Sequence, residues 1–179
     1  MKIMVIVAHP DLSVSGANQA FASELKGDAD ITVRDLYKEY PNWHINVEKE
    51  HELLLAHDRI VLQFPLYWYS CPPLLKKWFD DVFTYGWAFG PQGDNLQGKE
   101  FVVATTTGGS KNAYRSGGEN WFTISELLRP IQSTLTKCNA TYLPAFVAYE
   151  VTRTNVDYVA EEAKKYSDYI RTPQTALVQ

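Results

Sequence analysis

Five runs of apolar residues alternate with segments in which apolar residues recur at helical spacing. Parallel strands need a crossover connection between them, and a helix usually supplies it. Because strands covered on both faces are apolar throughout, the runs predict an α/β fold with a five-stranded parallel sheet between two layers of helices. The predicted strands are Lys2 to Ala8, Ile31 to Asp35, Arg59 to Phe64, Glu100 to Thr106 and Thr141 to Tyr149.

The spacing of apolar residues also predicts five helices. The third is the clearest, because Pro72 and Pro73 suit a first turn, apolar residues follow at three-and-four spacing, and Gly86 suits the end. A fourth helix contains Pro130, which either starts a new turn or kinks the helix. The other three are a helix capped by Ser15, a helix over Val47 to His57 and a last helix over Val156 to Ile170.

The length and composition restrict the class of protein. A chain of 179 residues suits one domain, placed at residues 1–172, with a frayed tail at residues 173–179. A formal charge of −4 without clustered Lys or Arg argues against a nucleic-acid partner. Cys71 and Cys138 lack partners at motif spacing, so we expect no disulfide framework, no metal site and two buried thiols in the cytoplasm. The apolar run at the N terminus is too short for a membrane span or a signal peptide.

The first candidate loop follows strand one, because ligands of open parallel sheets bind beyond the carboxyl ends of the strands. It runs from His9 to Asn18 and has neither the GxGxxG of dinucleotide-binding folds nor the GK[ST] of P-loops. Its small residues at a helix start leave backbone N–H groups free for a phosphate, with Ser15, Asn18 and His9 as further donors. The alternative is that Ser15 only caps the helix and His9 is an ordinary loop residue.

The second candidate loop follows strand three and carries the consecutive aromatic residues Tyr67, Trp68 and Tyr69 after Pro65 and Leu66. A flat heteroaromatic ligand explains this composition, because aromatic rings give it a surface to stack on. The alternative is a small hydrophobic cluster in which these rings pack under the loop.

The third candidate loop, Thr105 to Ser110, follows strand four and contains Gly108 and Gly109. Paired glycines allow the backbone to approach a ligand closely, and their N–H groups can stabilise negative charge on a ring. Tyr114 and the positively charged Arg115 follow. The alternative for this loop, taken by itself, is a plain Gly-Gly turn. Three such loops at one edge of the sheet indicate a ligand site far more specifically than any one of them.

Together these motifs resemble the flavodoxin-like NAD(P)H quinone reductase family. The family includes short members that serve as ancillary subunits of glutathione-gated potassium efflux systems, and general stress proteins. The resemblance covers nearly the whole chain and implies a three-layer flavodoxin-like sandwich of strand order 2-1-3-4-5. It also implies a homodimer with active sites at the subunit interface. The motifs that carry it are His9-Pro10 with Ser15 and Asn18, Phe64 to Trp68 with Pro72 and Leu75 to Asp80, Gly86 to Gly90, and Thr106 to Gly109.

The resemblance further implies which residues bind a flavin and which one is catalytic. Tyr114 matches the family tyrosine near flavin O2 and the hydride path. The phosphate would be held by His9, Ser15, Gly16, Ala17 and Asn18. The dimethylbenzene and N5/O4 side would contact Pro65, Leu66, Tyr67, Trp68 and Tyr69, and the pyrimidine side Thr106, Thr107, Gly108 and Gly109.

The implied reaction is a two-electron ping-pong hydride transfer from NAD(P)H through flavin N5 to a quinone-like acceptor. FMN is the expected cofactor, with FAD as the alternative, because the chain ends before the extension that binds adenosine in larger members. Those members also carry a histidine soon after the tyrosine, whereas this chain has Glu119, Asn120 and Trp121 there. Their proton relay therefore cannot be transferred to this chain. The preference between NADH and NADPH stays open, with Arg115 as a candidate phosphate partner.

Three other functions are compatible with this kind of fold. A one-electron flavodoxin carrier would need no nicotinamide site. A regulatory subunit would associate peripherally with a membrane transporter, for which the sequence shows no recognisable docking patch. A phosphoacceptor receiver domain would need clustered acidic residues after strand one, where Asp11 is nearly alone.

Overall fold

The computed structural model describes residues 1–152 and 155–176. Its strands are β1 (Ile3–Val7), β2 (Ile31–Asp35), β3 (Arg59–Pro65), β4 (Glu100–Thr106), β5 (Thr141–Tyr142) and β6 (Phe146–Ala148). All pairs are parallel and the order is β2-β1-β3-β4-β5, with β6 also paired to β4. The implied flavodoxin-like strand order 2-1-3-4-5 is therefore confirmed.

The fifth predicted strand is two short strands, so the prediction of one continuous strand from Thr141 to Tyr149 is wrong. Thr141 pairs with Glu100 at the start of β4, and Phe146 pairs with Ala104 near its end. Pro144 lies in the interruption, and proline has no N–H group for the sheet ladder. The interruption lies at the edge of the sheet.

The helices are α1 (Gly16–Glu24), α2 (Leu36–Glu39), α3 (Val47–Ala56), α4 (Pro73–Val82), α5 (Ile124–Leu127), α6 (Arg129–Lys137) and α7 (Val156–Arg171). The four-residue α2 was not predicted. Pro130 starts a new helix, because it lies in the first turn of α6. The predicted end of α4 at Gly86 is wrong, since the backbone leaves the helix at Phe83 and Gly86 lies in the next turn.

Each face of the sheet has its own core, because side chains alternate along the strands. On one face, Met4 and Ile6 of β1 belong to the cluster formed with α3, α4 and α6. On the other face, Val5 and Val7 belong to the cluster formed with α1 and α7. The two clusters fix the sheet between two helical layers, as predicted.

Three predictions concern the cysteines, the tail and membrane spans. Both cysteines are free thiols, but only Cys138 is buried, so the prediction of two buried thiols is wrong for the half-buried Cys71. Residues 177–179 of the predicted tail lie outside the described residues. In the part of the chain that the structure describes, every helix is too short or too polar to cross a membrane.

Candidate functional site

A cavity of about 300 Å³ lies at the carboxyl ends of β1, β3 and β4. This is the edge at which doubly wound sheets bind their ligands. The structure brings most of the predicted residues of all three loops to this cavity. The predicted residues that line it are His9, Ser15, Gly16, Ala17, Asn18, Pro65, Leu66, Tyr67, Thr106, Thr107 and Gly108.

The start of α1 supplies backbone donors to the cavity. Ser15 caps this helix, because its Oγ accepts a hydrogen bond from the Asn18 N–H at 3.1 Å. The N–H groups of Gly16 and Ala17, in the first turn, have no acceptor within the helix. The positive end of the helix dipole adds to their attraction for an anion. Ser15 can therefore cap the helix and bind an anion at the same time, because its Oγ accepts the capping bond and its hydroxyl proton can donate to the anion.

A buried chain of polar side chains lies beneath this helix start. Asn18 Nδ2 donates to Thr106 Oγ1 at 3.1 Å, and Gln63 Nε2 donates to the Asn18 backbone oxygen at 2.9 Å. The Tyr166 hydroxyl donates to Gln63 Oε1 at 3.0 Å. All four residues are buried, so these bonds hold α1, β3, β4 and α7 together without competition from water. Sequence reasoning missed Gln63 and Tyr166.

The His9 ring lies at the edge of the cavity in its neutral form. Its Nδ1 accepts a hydrogen bond from the Asp11 N–H at 3.1 Å, which leaves the proton on Nε2. Partial burial lowers the pKa of His9 below its usual value, against the smaller opposing effect of Asp11. The ring also contacts Tyr67 edge-on, with 6.4 Å between ring centroids. His9 can therefore donate one neutral hydrogen bond into the cavity.

The aromatic loop forms a tight turn from Tyr67 to Ser70. The N–H of each of these residues donates to the carbonyl oxygen of the other, at 2.8 and 2.9 Å. Both central residues have left-handed backbones, with φ of 44° at Trp68 and 65° at Tyr69. Such turns normally use Asn or Gly, and each bulky residue here costs on the order of 1–2 kcal/mol. Strain of this kind is often retained at ligand sites.

The loop after β4 brings Tyr114 next to the cavity. The hydroxyls of Thr107 and Tyr114 lie 2.6 Å apart, and the Gly109 N–H donates to Thr107 Oγ1 at 3.2 Å. A Cβ atom at Gly109 would lie 2.9 Å from the Tyr114 ring, so a larger residue there would displace this ring. Tyr114 is therefore one hydrogen bond away from a residue that lines the cavity.

Four predicted residues, Trp68, Tyr69, Gly109 and Tyr114, do not line the cavity. Trp68 is 93 % exposed, and the Tyr69 hydroxyl donates to Asn120 Oδ1 at 3.2 Å. Asn120 thus joins the aromatic turn to the loop after β4, in the region where larger reductases carry their histidine. The roles of these four residues stay predictions.

Sequence reasoning also missed three residues that line the cavity, Val14, Val151 and Thr152. Val151 and Thr152 follow β6, and their place at the cavity depends on the Val151 N–H, which donates to the Thr107 oxygen at 3.0 Å. The predicted sheet order puts the end of the fifth strand beside the fourth, which is the one signal that points to them.

The donors of the cavity fit the phosphate of a flavin mononucleotide. They are the N–H groups of Gly16 and Ala17, the Ser15 hydroxyl and His9 Nε2, and among the described residues the lining includes neither Lys nor Arg. A Cβ atom at Gly16 or Gly108 would meet nothing within 4 Å, so both walls border open space. The segment Pro65 to Tyr67 adds an apolar and aromatic wall for a flat ring.

Curated relatives match nearly the full length of the chain. General stress protein 14 of Bacillus subtilis (strain 168) is 50% identical over 173 residues, which cover 97% of this chain and 99% of the relative. An uncharacterized NAD(P)H oxidoreductase of the same strain, YdeQ, is 48% identical over 95% of this chain and 86% of the relative. The glutathione-regulated potassium-efflux system ancillary protein KefG of Enterobacter sp. (strain 638) is 37% identical over 96% and 94%.

Solved structures share the same architecture. General stress protein 14 of Treponema denticola in complex with FMN has a TM-score of 0.92 and 37% identity, over 96% of this chain and 98% of that chain. An NADPH-quinone reductase from P. pentosaceus has a TM-score of 0.86 and 37% identity, over 95% and 98%. A chain described as a thermophilic tryptophan halogenase from Streptomycin violaceusniger has a TM-score of 0.92 and 50% identity, over 95% and 99%.

The family model described as a flavodoxin-like fold matches residues 1–170, almost the whole chain. This match agrees with the parallel sheet of order β2-β1-β3-β4-β5 and with the cavity at its carboxyl edge. The chain belongs to this flavodoxin-like family.

Proposed function

We propose that this protein is an FMN-dependent NAD(P)H:quinone oxidoreductase. The observation that carries the proposal is the convergence of three loops on one cavity, with helix-start donors at one end and an apolar, aromatic wall at the other. The FMN complex of the Treponema protein and the names of the NAD(P)H oxidoreductase and NADPH-quinone reductase relatives support it.

The proposed phosphate-binding residues are the helix-start group Ser15, Gly16, Ala17 and Asn18 together with His9. Their donors are backbone N–H groups, the Ser15 hydroxyl and the His9 ring, and the helix dipole would balance part of the phosphate charge. The buried bonds of Gln63 to Asn18 and Tyr166 hold this group in place before the ligand arrives. The cavity is therefore suited to the mononucleotide end of a flavin.

FMN, when bound, would supply two-electron chemistry, in which a hydride from NAD(P)H and a proton from solvent reduce the ring and two electrons with two protons reach the quinone. Pro65 to Tyr67 on one side and Thr106 to Gly108 on the other would hold and orient the ring. The Gly108 N–H adds a backbone donor at this edge. The Tyr114 hydroxyl, 2.6 Å from Thr107 Oγ1, would face the pyrimidine side of the ring.

The test starts from the purified holoprotein and its absorption spectrum. We expect bound FMN, bleaching of its visible absorbance by anaerobic NADH or NADPH, and recovery on adding a quinone. A flavoprotein that neither nucleotide bleaches would be an electron carrier instead. Because one similar structure is described as a tryptophan halogenase, a parallel aerobic assay combines NAD(P)H, tryptophan and a halide, with O2 as the oxidant, and halogenated tryptophan there would replace the reductase proposal.

We also propose a homodimer with the cavity near its interface. Large aromatic side chains beside the cavity are exposed in the single chain, with Trp68 at 93 %, Trp121 at 73 % and Phe122 at 56 %. A contiguous exposed apolar surface is typical of an interaction site. Sedimentation equilibrium of the holoprotein should give twice the chain mass, and a monomer at micromolar concentration would contradict the dimer.

A peripheral association with a membrane transporter is the second proposed role. The support for it is that the relative KefG is named as an ancillary protein of a potassium-efflux system. Both cysteines are free, which agrees with a reducing cytoplasm as the proposed location. Co-purification of the tagged protein with a potassium efflux antiporter would support this role. Antiporter activity that is the same with and without the protein would contradict it.

A further inference from the structure

A second cavity of about 540 Å³ lies beside the first, at the edge of the sheet. It is an open cavity lined by the loop after β4, by α5 and by the interrupted segment of β5 and β6. Three tyrosines, Tyr114, Tyr142 and Tyr149, contribute to its walls, and the rings of Tyr114 and Tyr149 lie 6.2 Å apart between centroids. The cavity can therefore hold a flat apolar ring.

Two cations, Lys111 and Arg115, also line this cavity. Both are exposed, and neither forms a salt bridge with any residue in ranges 1–152 and 155–176. The Arg115 Nε donates to the Asn112 backbone oxygen at 3.1 Å, which orients the guanidinium and leaves its terminal nitrogens free. Two uncompensated cations on an aromatic cavity favour an anionic ligand with a ring.

The linings of the two cavities are in contact through Tyr114. Tyr114 lines the second cavity, and its hydroxyl lies 2.6 Å from Oγ1 of Thr107, which lines the first. A ligand whose reacting ring packs on a flavin at the first cavity would have the second cavity beside it, across Tyr114. A nicotinamide dinucleotide has this form, with a second aromatic base at its far end.

We propose that the second cavity binds the 2′-phosphoadenosine half of NADPH, and that Lys111 and Arg115 select NADPH over NADH. The adenine would pack against the tyrosines, and the 2′-phosphate would pair with the two cations. NADH has a hydroxyl in place of this phosphate. The inference rests on the proposed reductase function and names the co-substrate and the residues that recognise it.

Binding of adenosine 2′,5′-bisphosphate, followed by isothermal titration calorimetry, tests the site without any turnover. We expect the holoprotein to bind it, and the double variant Lys111→Ala, Arg115→Ala to bind about 10-fold or more weakly, the effect of losing a charge-assisted hydrogen bond. Ala145→Phe, which fills the cavity from another wall, should weaken binding as well. Arg129→Ala is the matched control, because Arg129 is exposed on the neighbouring α6 and does not line the cavity.

Steady-state kinetics with both nucleotides complete the test. The double variant should raise KM for NADPH about 10-fold, with a clearly smaller change for NADH. Equal KM values for NADH and NADPH in the unmodified protein, or bisphosphate binding that the double variant leaves intact, would overturn the inference while the reductase function stands. Failure of both nucleotides to bleach the flavin would instead remove the reductase function itself.

Discussion

The two walls of the first cavity are built in opposite ways. The helix wall, Ser15 to Asn18, rests on a buried chain of hydrogen bonds through Gln63 to Tyr166. The aromatic wall, Pro65 to Tyr67, leads into an exposed turn whose two central residues, Trp68 and Tyr69, have strained left-handed backbones. The helix wall is held by buried side chains, whereas the exposed turn beyond the aromatic wall is held by its own two backbone hydrogen bonds and by the bond from Tyr69 to Asn120.

This difference indicates that the two walls have different roles in ligand binding. A preformed helix wall binds a phosphate without an ordering cost, because its donors are already fixed. An exposed aromatic turn gains burial only when a ring or a second subunit covers it. We therefore expect changes in the helix wall to affect the stability of the protein, and changes in the aromatic wall to affect binding.

The largest effect is expected for Gln63→Leu. The leucine would leave the Tyr166 hydroxyl without a partner in a buried site and would remove one of the two hydrogen bonds that the Asn18 carbonyl of α1 accepts, at a cost of about 2–3 kcal/mol in unfolding free energy. Urea unfolding of the flavin-free protein measures this. Tyr166→Phe is the control, because it removes one hydroxyl and leaves a single partner unpaired, for about 1 kcal/mol. An unchanged unfolding free energy in Gln63→Leu would show that the buried chain does not support the helix wall.

Trp68→Gly should separate binding from stability at the aromatic wall. Glycine accepts the left-handed backbone without strain, so the flavin-free protein should keep its stability or gain up to about 1 kcal/mol. FMN binding should weaken by about 1–3 kcal/mol if the indole packs on the ring. Fluorescence titration with FMN and urea unfolding measure the two quantities. Unchanged FMN affinity would remove Trp68 from the site.

Tyr114→Phe tests the loop that joins the walls. Loss of the hydroxyl bonded to Thr107 should slow flavin reduction by about fivefold, the effect of one hydrogen bond in a transition state, with less effect on nucleotide binding. Anaerobic stopped-flow measurement separates rate from affinity. Thr107→Val removes the same bond and keeps the tyrosine hydroxyl, so it should cost less. Equal reduction rates in Tyr114→Phe and the unmodified protein would show that the tyrosine hydroxyl does not assist flavin reduction.

The smallest effect concerns the titration of His9. Burial lowers its pKa, so the folded chain takes up this proton at lower pH than the unfolded chain does. Stability from this group is therefore complete above about pH 6.5, the unperturbed value, and declines as the pH falls. FMN should raise the pKa of His9, because a phosphate favours the protonated ring. NMR titration with and without FMN measures the shift, and an unchanged His9 titration would place the phosphate elsewhere.

Sequence reasoning predicted the parts of the fold that depend on local signals. The apolar runs predicted the strands, and the position of Ser15 before a helical stripe predicted the start of α1. The end of α4 and the division of the fifth strand were missed. Pro144 was readable in the sequence, but the pairing of β6 with the far end of β4 depends on contacts with the rest of the sheet.

The sequence by itself determined the alternation of strands and helices and the three loops that meet at the sheet edge, because these follow from periodicity and connection rules. Only the tertiary structure decided that Gln63 meets Tyr166, 103 residues away, and that Lys111 and Arg115 share a cavity with Tyr142. It also decided that Trp68 is exposed. The physical reason is that hydrogen-bond partners, cavities and exposure depend on distances between segments remote in the chain, for which local residue patterns carry no signal.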